Sequence, residues 1–325
     1  MGIIHIKKNI LLIKEKVSMI ALYLQDIRYA MKYSLFNQDE AKGQKLRALL
    51  LISIHGIEKG LSFEKKKENW GKQKVLRLVY LVEQYHKEFG EDEIFKMGIN
   101  ALNAYKNDEN SCSEAKIVSK IDKLLNTVDT NCYVKDMIGV KQVTKPNLNI
   151  GYDDLLVFMK SRSSVRYYSK NPITEEEINK AIVMAQQTPT ACNRQSCRVY
   201  VIKDTVHKKQ LIDSQHGDQG WCLGADTVFV VTANQSYFNA TYERYQMYID
   251  GGLYAMNLVY GLHVQGIATC YKMYNKGKKE DDMTRKICGI SASEVPIILI
   301  LAGHYKEECI NTPLSHRLTS NYEEV

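Results

Sequence analysis

Residues 161–200 read SRSSVRYYSKNPITEEEINKAIVMAQQTPTACNRQSCRVY, and the two ends of this stretch decide how the rest is understood. At the front, Arg162, Ser163, Ser164 and Arg166 place two guanidiniums and two hydroxyls within five residues, a donor set suited to a phosphate dianion. At the back, Asn193 and Gln195 follow Pro189-Thr190-Ala191 and precede an apolar run, Val199 to Ile202, that reads as a buried strand. Their amides offer donors and acceptors together, as the polar edge of a heteroaromatic ring requires. Thr174 is an N-cap, Glu177 three residues on completes a capping box, and Pro172 sits just upstream. Ile178, Ala181, Ile182 and Ala185 recur at helical spacing, and Pro189 ends the helix. Such a helix separates its ends by roughly 20 Å at about 1.5 Å per residue. The Arg/Ser cluster and the amide pair therefore have to meet through the fold or across a subunit boundary.

Working outward, the residues after 152 alternate between element types. The pattern predicts a helix over 153–159, the Arg/Ser turn, the capped helix, and a strand at 198–203. A helix at 205–214 follows, then a strand at 227–233, a long helix over 237–263, a strand at 267–273, a short helix at 280–288 and a strand at 296–303. This predicts an α+β domain, a mixed sheet flanked by helices. The long helix contains Gly251-Gly252; each glycine inside a helix costs about 1 kcal/mol against alanine, which points to close packing or a tight ligand contact.

Residues 1–138 read as an all-α helical domain, with helices near 9–35, 40–59, 70–89, 91–106 and 113–127 and breaks at 37–39, Gly60, 90–92 and 107–110. Residues 139–151, GVKQVTKPNLNIG, lack periodicity and read as a linker, which leaves 152–325 as the second domain. Within the first domain, His55 and Glu58 share a helix face in HGIEKGLSFEKKK, but a third ligand at helical spacing is missing, so no metal site is assigned.

Composition narrows the classes. The 325 residues are 45% hydrophobic and 25% charged with a net charge of +7, a globular profile. The lysines are spread and no aromatic-interleaved basic motif occurs, so nucleic acid is not an expected partner. The eight cysteines form no CxxC pair, which with no signal-peptide pattern fits reduced thiols in the cytoplasm. Cys192 and Cys197, flanking the amide pair, read as buried inert thiols. Lys7, Lys8, Lys14, Glu15 and Lys16 interrupt the apolar N-terminal run, so it is not expected to span a bilayer. No GxGxxG after a strand, no P-loop and no GxSxG elbow is present.

SRSSVRYY, a helix, and then TPTACNRQSCRVYVI resembles the opening of the nitroreductase-like flavoprotein family, whose pattern is an RxSxR turn, a helix, and P-S-x-x-N-x-Q before a strand. The resemblance runs from about Asp153 to the C-terminus. It implies FMN, its phosphate held by Arg162, Ser163, Ser164 and Arg166, its ring and ribityl chain addressed by Pro189, Thr190, Asn193 and Gln195. GIATC (266–270) resembles the family's G-L-G-T turn, with Ala268 where glycine is usual, and implies flavin contacts at Ile267 and Ala268. PLSHRL (313–318) resembles a tail whose arginine, here Arg317, reaches the phosphate. The resemblance further implies an obligate homodimer with the site at the subunit interface. The activity it implies is hydride transfer from NADH or NADPH through the flavin to a small-molecule acceptor, a nitro compound, quinone or biosynthetic intermediate, in a ping-pong cycle. No side chain is named as catalytic. Ser196-Cys197 replaces the family's frequent Pro-Trp and leaves the acceptor open. The alternative is a flavin-fold assembly protein without turnover that recruits a partner through its helical half.

Overall fold

A computed structural model describes residues 2–37, 40–134, 139–215, 220–239, 241–274 and 277–317, with the side chains of 2–9 and 130 outside that description. The expected boundary at 138 lies outside the described residues. The chain divides into two compact units. The first comprises Met1–Asn147, Pro189–Ser196 and Asn234–Met247; the second comprises Leu148–Thr188, Cys197–Ala233 and Tyr248–Val325.

The first unit is built on five helices, α1 (Gly2–Tyr33), α2 (Lys42–Leu61), α3 (Lys72–Phe89), α4 (Glu93–Lys106) and α5 (Ala115–Leu125). The apolar stripes of α2, α3, α4 and α5 close one core, in which Leu50 and Ile54 of α2 meet Leu78 and Val82 of α3, Phe95 and Leu102 of α4, and Ile121 of α5. Asp92 begins α4 by accepting from the Ile94 and Phe95 amides at 3.0 and 3.1 Å. Gly60, an expected break, does not end α2: the helix continues through it to Leu61. A Cβ there would lie 2.1 Å from the Trp70 ring, so this glycine admits an aromatic side chain and the helix stops one residue later. The two short segments that the chain lends to this unit from afar, the turns at Ala191–Asn193 and Gln235–Tyr237, both pack on α2.

The second unit carries α6 (Tyr152–Ser161), α7 (Glu175–Gln186), β1 (Cys197–Ile202), α8 (Thr205–Asp213), β2 (Thr227–Asn234), α9 (Gln246–His263), β3 (Ile267–Met273), α10 (Lys278–Cys288) and β4 (Glu294–His304). The strands form one sheet in the order β1-β2-β4-β3, with β1–β2 and β3–β4 antiparallel. An isolated parallel bridge joins Ser164 to Thr269. The fold is α+β. Successive side chains alternate between faces: Phe229 and Val231 of β2 join Ala181 of α7 and Leu258 of α9, while Val228 and Val230 join Leu211 of α8 and, at its margin, Ile287 of α10.

The capping box is present: Thr174 Oγ1 accepts the Glu177 amide at 3.2 Å, and the Glu177 carboxylate accepts the Thr174 amide at 2.8 Å. Burial works against the Glu177 charge, but the Thr174 bonds and His304 outweigh it and hold the carboxyl below its ordinary range. The long helix differs from expectation, starting at Gln246 and not near 237. Upstream, Asn234 and Asn239 side chains accept from the Ser236 and Thr241 amides, at 3.0 Å in both cases, and these local bonds compete with a helical backbone. Of the paired glycines, Gly251 lies where a Cβ would come within 2.9 Å of Ile297, whereas Gly252 faces open space. Gly261 is the tighter contact, since a Cβ would meet the Ala181 backbone at 2.8 Å.

Candidate functional site

The Arg/Ser turn is fixed by backbone before any side chain acts. The Val165 amide donates to Thr269 O at 3.0 Å beside the Ser164–Thr269 bridge, and the Ser169 amide donates to His304 O at 2.9 Å. Val165 and Tyr168 enter the core of this sheet face. The Tyr168 ring lies on Gly303, where a Cβ would approach it to 2.7–2.9 Å, and its hydroxyl donates to Val165 O at 2.8 Å. The turn is thereby held against the paired strands β3 and β4.

What this anchoring presents is positive charge. Burial pushes the Cys270 thiol up, while Arg166, a hydrogen bond from Ser164, Arg162 and Lys272 pull it back. Both guanidiniums of the turn therefore lie within electrostatic reach of one strand residue. Burial raises the Tyr271 and Tyr305 hydroxyls and Arg162 opposes it in each case. His263 is pushed down by burial, with Arg162 adding to the effect against an opposing bond at Phe158. Arg166 donates to Ser164 O at 3.3 Å and sits 5.2 Å from the Trp221 ring centroid. Among the described residues neither Arg162 nor Arg166 forms a salt bridge with a carboxylate. Two half-buried arginines flanking a serine without an acid to neutralise them are a fit for a dianionic phosphate. Ser163 is half-buried beside them, Ile267 and Ala268 are buried in β3, and Arg317 is exposed. Lys272, buried and close enough to act on Cys270, was not singled out from sequence.

The amide loop belongs to the first unit. Cys192, Asn193 and Gln195 have φ of 52°, 50° and 51°, a left-handed conformation that costs non-glycine residues on the order of 1–3 kcal/mol each. Asparagine tolerates it best. The loop persists because its alternate residue is tied down: Arg194 is 2% exposed. Its Nε donates to Ala191 O at 2.8 Å, Nη1 donates to Tyr237 O at 2.6 Å, and the fork engages Glu243 at 2.9 and 2.5 Å. The guanidinium also stands 4.9 Å from the Phe238 ring centroid. Thr190 Oγ1 accepts the Gln195 amide at 3.0 Å, and the Ser196 carbonyl accepts from Asn234 at 3.1 Å. With Arg194 and Ser196 turned inward, Pro189, Asn193 and Gln195 are exposed and Thr190 is half-buried. Burial favours a neutral Glu243, but Arg194 and the Asn239 amide overcome it and keep the carboxyl low. Sequence reasoning did not single out Arg194, although it stands between the two motif amides; its partner Glu243 lies almost fifty residues later. Cys192 is exposed, against the expectation that it is buried, because the left-handed turn directs it outward with Asn193.

His55 and Glu58 are half-buried on α2. Burial raises the Glu58 carboxyl and, with Lys59, lowers His55.

Residues 159–219 match the nitroreductase family model, a span that contains the turn, α7, the amide loop, β1 and α8. Among solved structures the chain is similar to an FMN-dependent nitroreductase from Clostridium difficile R20291, at 17% identity over 51% of this chain and 99% of that one, with a TM-score of 0.42. It is also similar to a nitroreductase family protein from Clostridium difficile 630, at 20% identity over 49% and 87% with a TM-score of 0.41. A third is the nitroreductase family protein from Streptococcus pneumoniae TIGR4, at 16% identity over 50% and 95% with a TM-score of 0.41. No curated protein matches the chain. No helix among the described residues is long and apolar enough to cross a membrane.

Proposed function

We propose that the chain is an FMN-dependent oxidoreductase that takes a hydride from NADH or NADPH and passes reducing equivalents to a small-molecule acceptor. The observation that carries this reading is the pair Arg162 and Arg166, set around Ser164 against β3 with no acid among the described residues neutralising them, inside the segment that matches the nitroreductase family. Arg162, Ser163, Ser164 and Arg166 are assigned to the phosphate, with Arg317 as a further cation from the tail. Ile267 and Ala268 are assigned to the flavin through their backbone. Asn193 and Gln195, with Pro189 and Thr190, are the residues assigned to the polar ring edge.

When bound, FMN supplies reversible hydride acceptance, which lets donor and acceptor react in turn. The protein's own work is binding and orientation. The guanidiniums neutralise the phosphate through charge-assisted bonds, and the left-handed loop holds outward amides that do not have to reorganise on binding. The proposed domain plan keeps residues 152–325 as the flavin domain, 139–151 as linker and 1–138 as an accessory helical domain. Ile249 and Leu253 leave an exposed apolar face on α9, and α6 buries none of its residues. These surfaces support a homodimer.

The test is anaerobic mixing of flavin-loaded protein with NADH and with NADPH. Bleaching of the flavin absorbance by either supports the reading. Flavin that binds but is never reduced would leave a binding role for the same site, and failure to take up flavin would overturn the cofactor assignment.

A further inference from the structure

Helix α1 is 32 residues long, about 48 Å at 1.5 Å per residue, and every residue from Ile10 to Leu24 is exposed. Its C-terminal end is secured, since Ser34 is buried and the Leu35 amide donates to Phe238 O at 3.0 Å. The exposed part carries a strict apolar repeat with alternating steps of three and four. Ile10, Val17, Leu24 and Met31 fall at position a of successive heptads, and Ile13, Ile20 and Ile27 at position d. These seven side chains are 48–61% exposed. In the sequence the same steps continue back to Ile6 and Ile3.

A helix packed on a globular core follows a 3.6-residue period, and a seam of period 3.5 drifts from it by about 20° per heptad. Only a supercoiled partner helix keeps such a seam covered along its length. The repeat therefore specifies the kind of occupant, a helix of equal length and period. Among the described residues α1 is the one helix that supplies it, since α2, the next longest, has 20 residues and buries its own stripe. The flanking positions permit self-pairing in parallel. Position g of one heptad faces e of the next on the partner, which sets Lys16 opposite Ala21 and Tyr23 opposite Arg28, with no lysine facing a lysine. Isoleucine at every d position favours more than two strands, and the additional exposure of Leu11, Leu12 and Met19 outside the seam suits that wider coverage.

We infer that α1 is an assembly helix, its heptad seam occupied by α1 of further copies of this chain in a parallel coiled coil. This does not depend on the flavin reading.

Sedimentation equilibrium of the full chain tests it, comparing wild type with Ile13→Glu/Ile20→Glu in the seam and with Ser18→Glu at a b position. The mass is expected to fall at least twofold in the seam variant and to stay at the wild-type value in the b variant. Near-ultraviolet circular dichroism should be unchanged in both, because these side chains touch neither core. A seam variant with wild-type mass, or a monomeric wild type, overturns the proposal. Wild-type binding to phosphatidylserine-containing vesicles that is lost in the seam variant at constant mass would overturn it in favour of a lipid surface.

Discussion

The Arg/Ser turn and the amide loop lie 27 residues apart from Arg166 to Asn193 and are held by opposite means. The turn is anchored by backbone: a bridge to Thr269, an amide on His304 O, and a tyrosine ring seated on Gly303. Among the described residues its arginines form no salt bridge with an acid. In the loop the arginine is the anchor, fully committed to two carbonyls and a carboxylate, while the backbone sits in a conformation that its side chains disfavour. Arginine thus does two jobs in one stretch, and only burial separates them. A further difference is that the loop's supports come from 234–247 and its packing surface from α2. The helical half therefore contributes to the conformation of the amide loop.

Substitutions can break this contrast. The largest effect is expected for Arg194→Met, which leaves Glu243 and two carbonyls without their buried donor; breaking a buried pair in this way costs roughly 3–5 kcal/mol. Denaturant unfolding should show that loss, whereas Arg162→Met should leave stability within about 0.5 kcal/mol, as expected away from buried features. Equal losses for the two variants would erase the distinction. Next comes Gly303→Ala, whose methyl group meets the Tyr168 ring. Overpacking of this kind costs about 1–3 kcal/mol, and FMN binding should weaken with it because the turn must shift. Gly252→Ala, facing open space in the chain, is the matched control and should stabilise the helix slightly.

Acid provides a smaller and more general test. Glu177 and Glu243 both have carboxyls held below the ordinary glutamate value. Their contribution to stability is complete above the unfolded value of about 4.3 and is lost as pH falls through the depressed folded values. The melting temperature should drop on acidification in that window, and Glu243→Gln should flatten the drop. The smallest of the expected losses is Glu177→Ala, about 1 kcal/mol from the lost capping box, read by thermal unfolding.

Much of the fold was legible because its signals are local. The capped helix, the strands at 227–233 and 267–273, and the five N-terminal helices follow from side-chain period and caps within a few residues. The start of α9 was not, because the competing bonds at Asn234 and Asn239 suit either a cap or a turn until the packing around Glu243 is known. Gly60 misled for a related reason: a glycine that ends a helix and one that admits Trp70 look alike in sequence. At the site, the residue types of the turn suggested phosphate, but the absence of carboxylate partners among the described residues could be seen only in three dimensions. Arg194 stood in plain view between Asn193 and Gln195, and nothing local revealed that it was the buried one. The heptads of α1 lie in the spacing but were not read from it, and only its exposure shows that the seam lacks a cover among the described residues.

The central claim is that the Arg/Ser turn holds a phosphate, and comparing FMN with riboflavin isolates it, since the two differ only in that group. Fluorescence titration of the apoprotein should show FMN bound at least 100-fold more tightly than riboflavin, a gap of about 2.7 kcal/mol at 1.36 kcal/mol per tenfold, and Arg162→Met/Arg166→Met should close most of it. Equal affinity for the two flavins in the wild type, or a preference for FMN that survives loss of both arginines, would contradict the account.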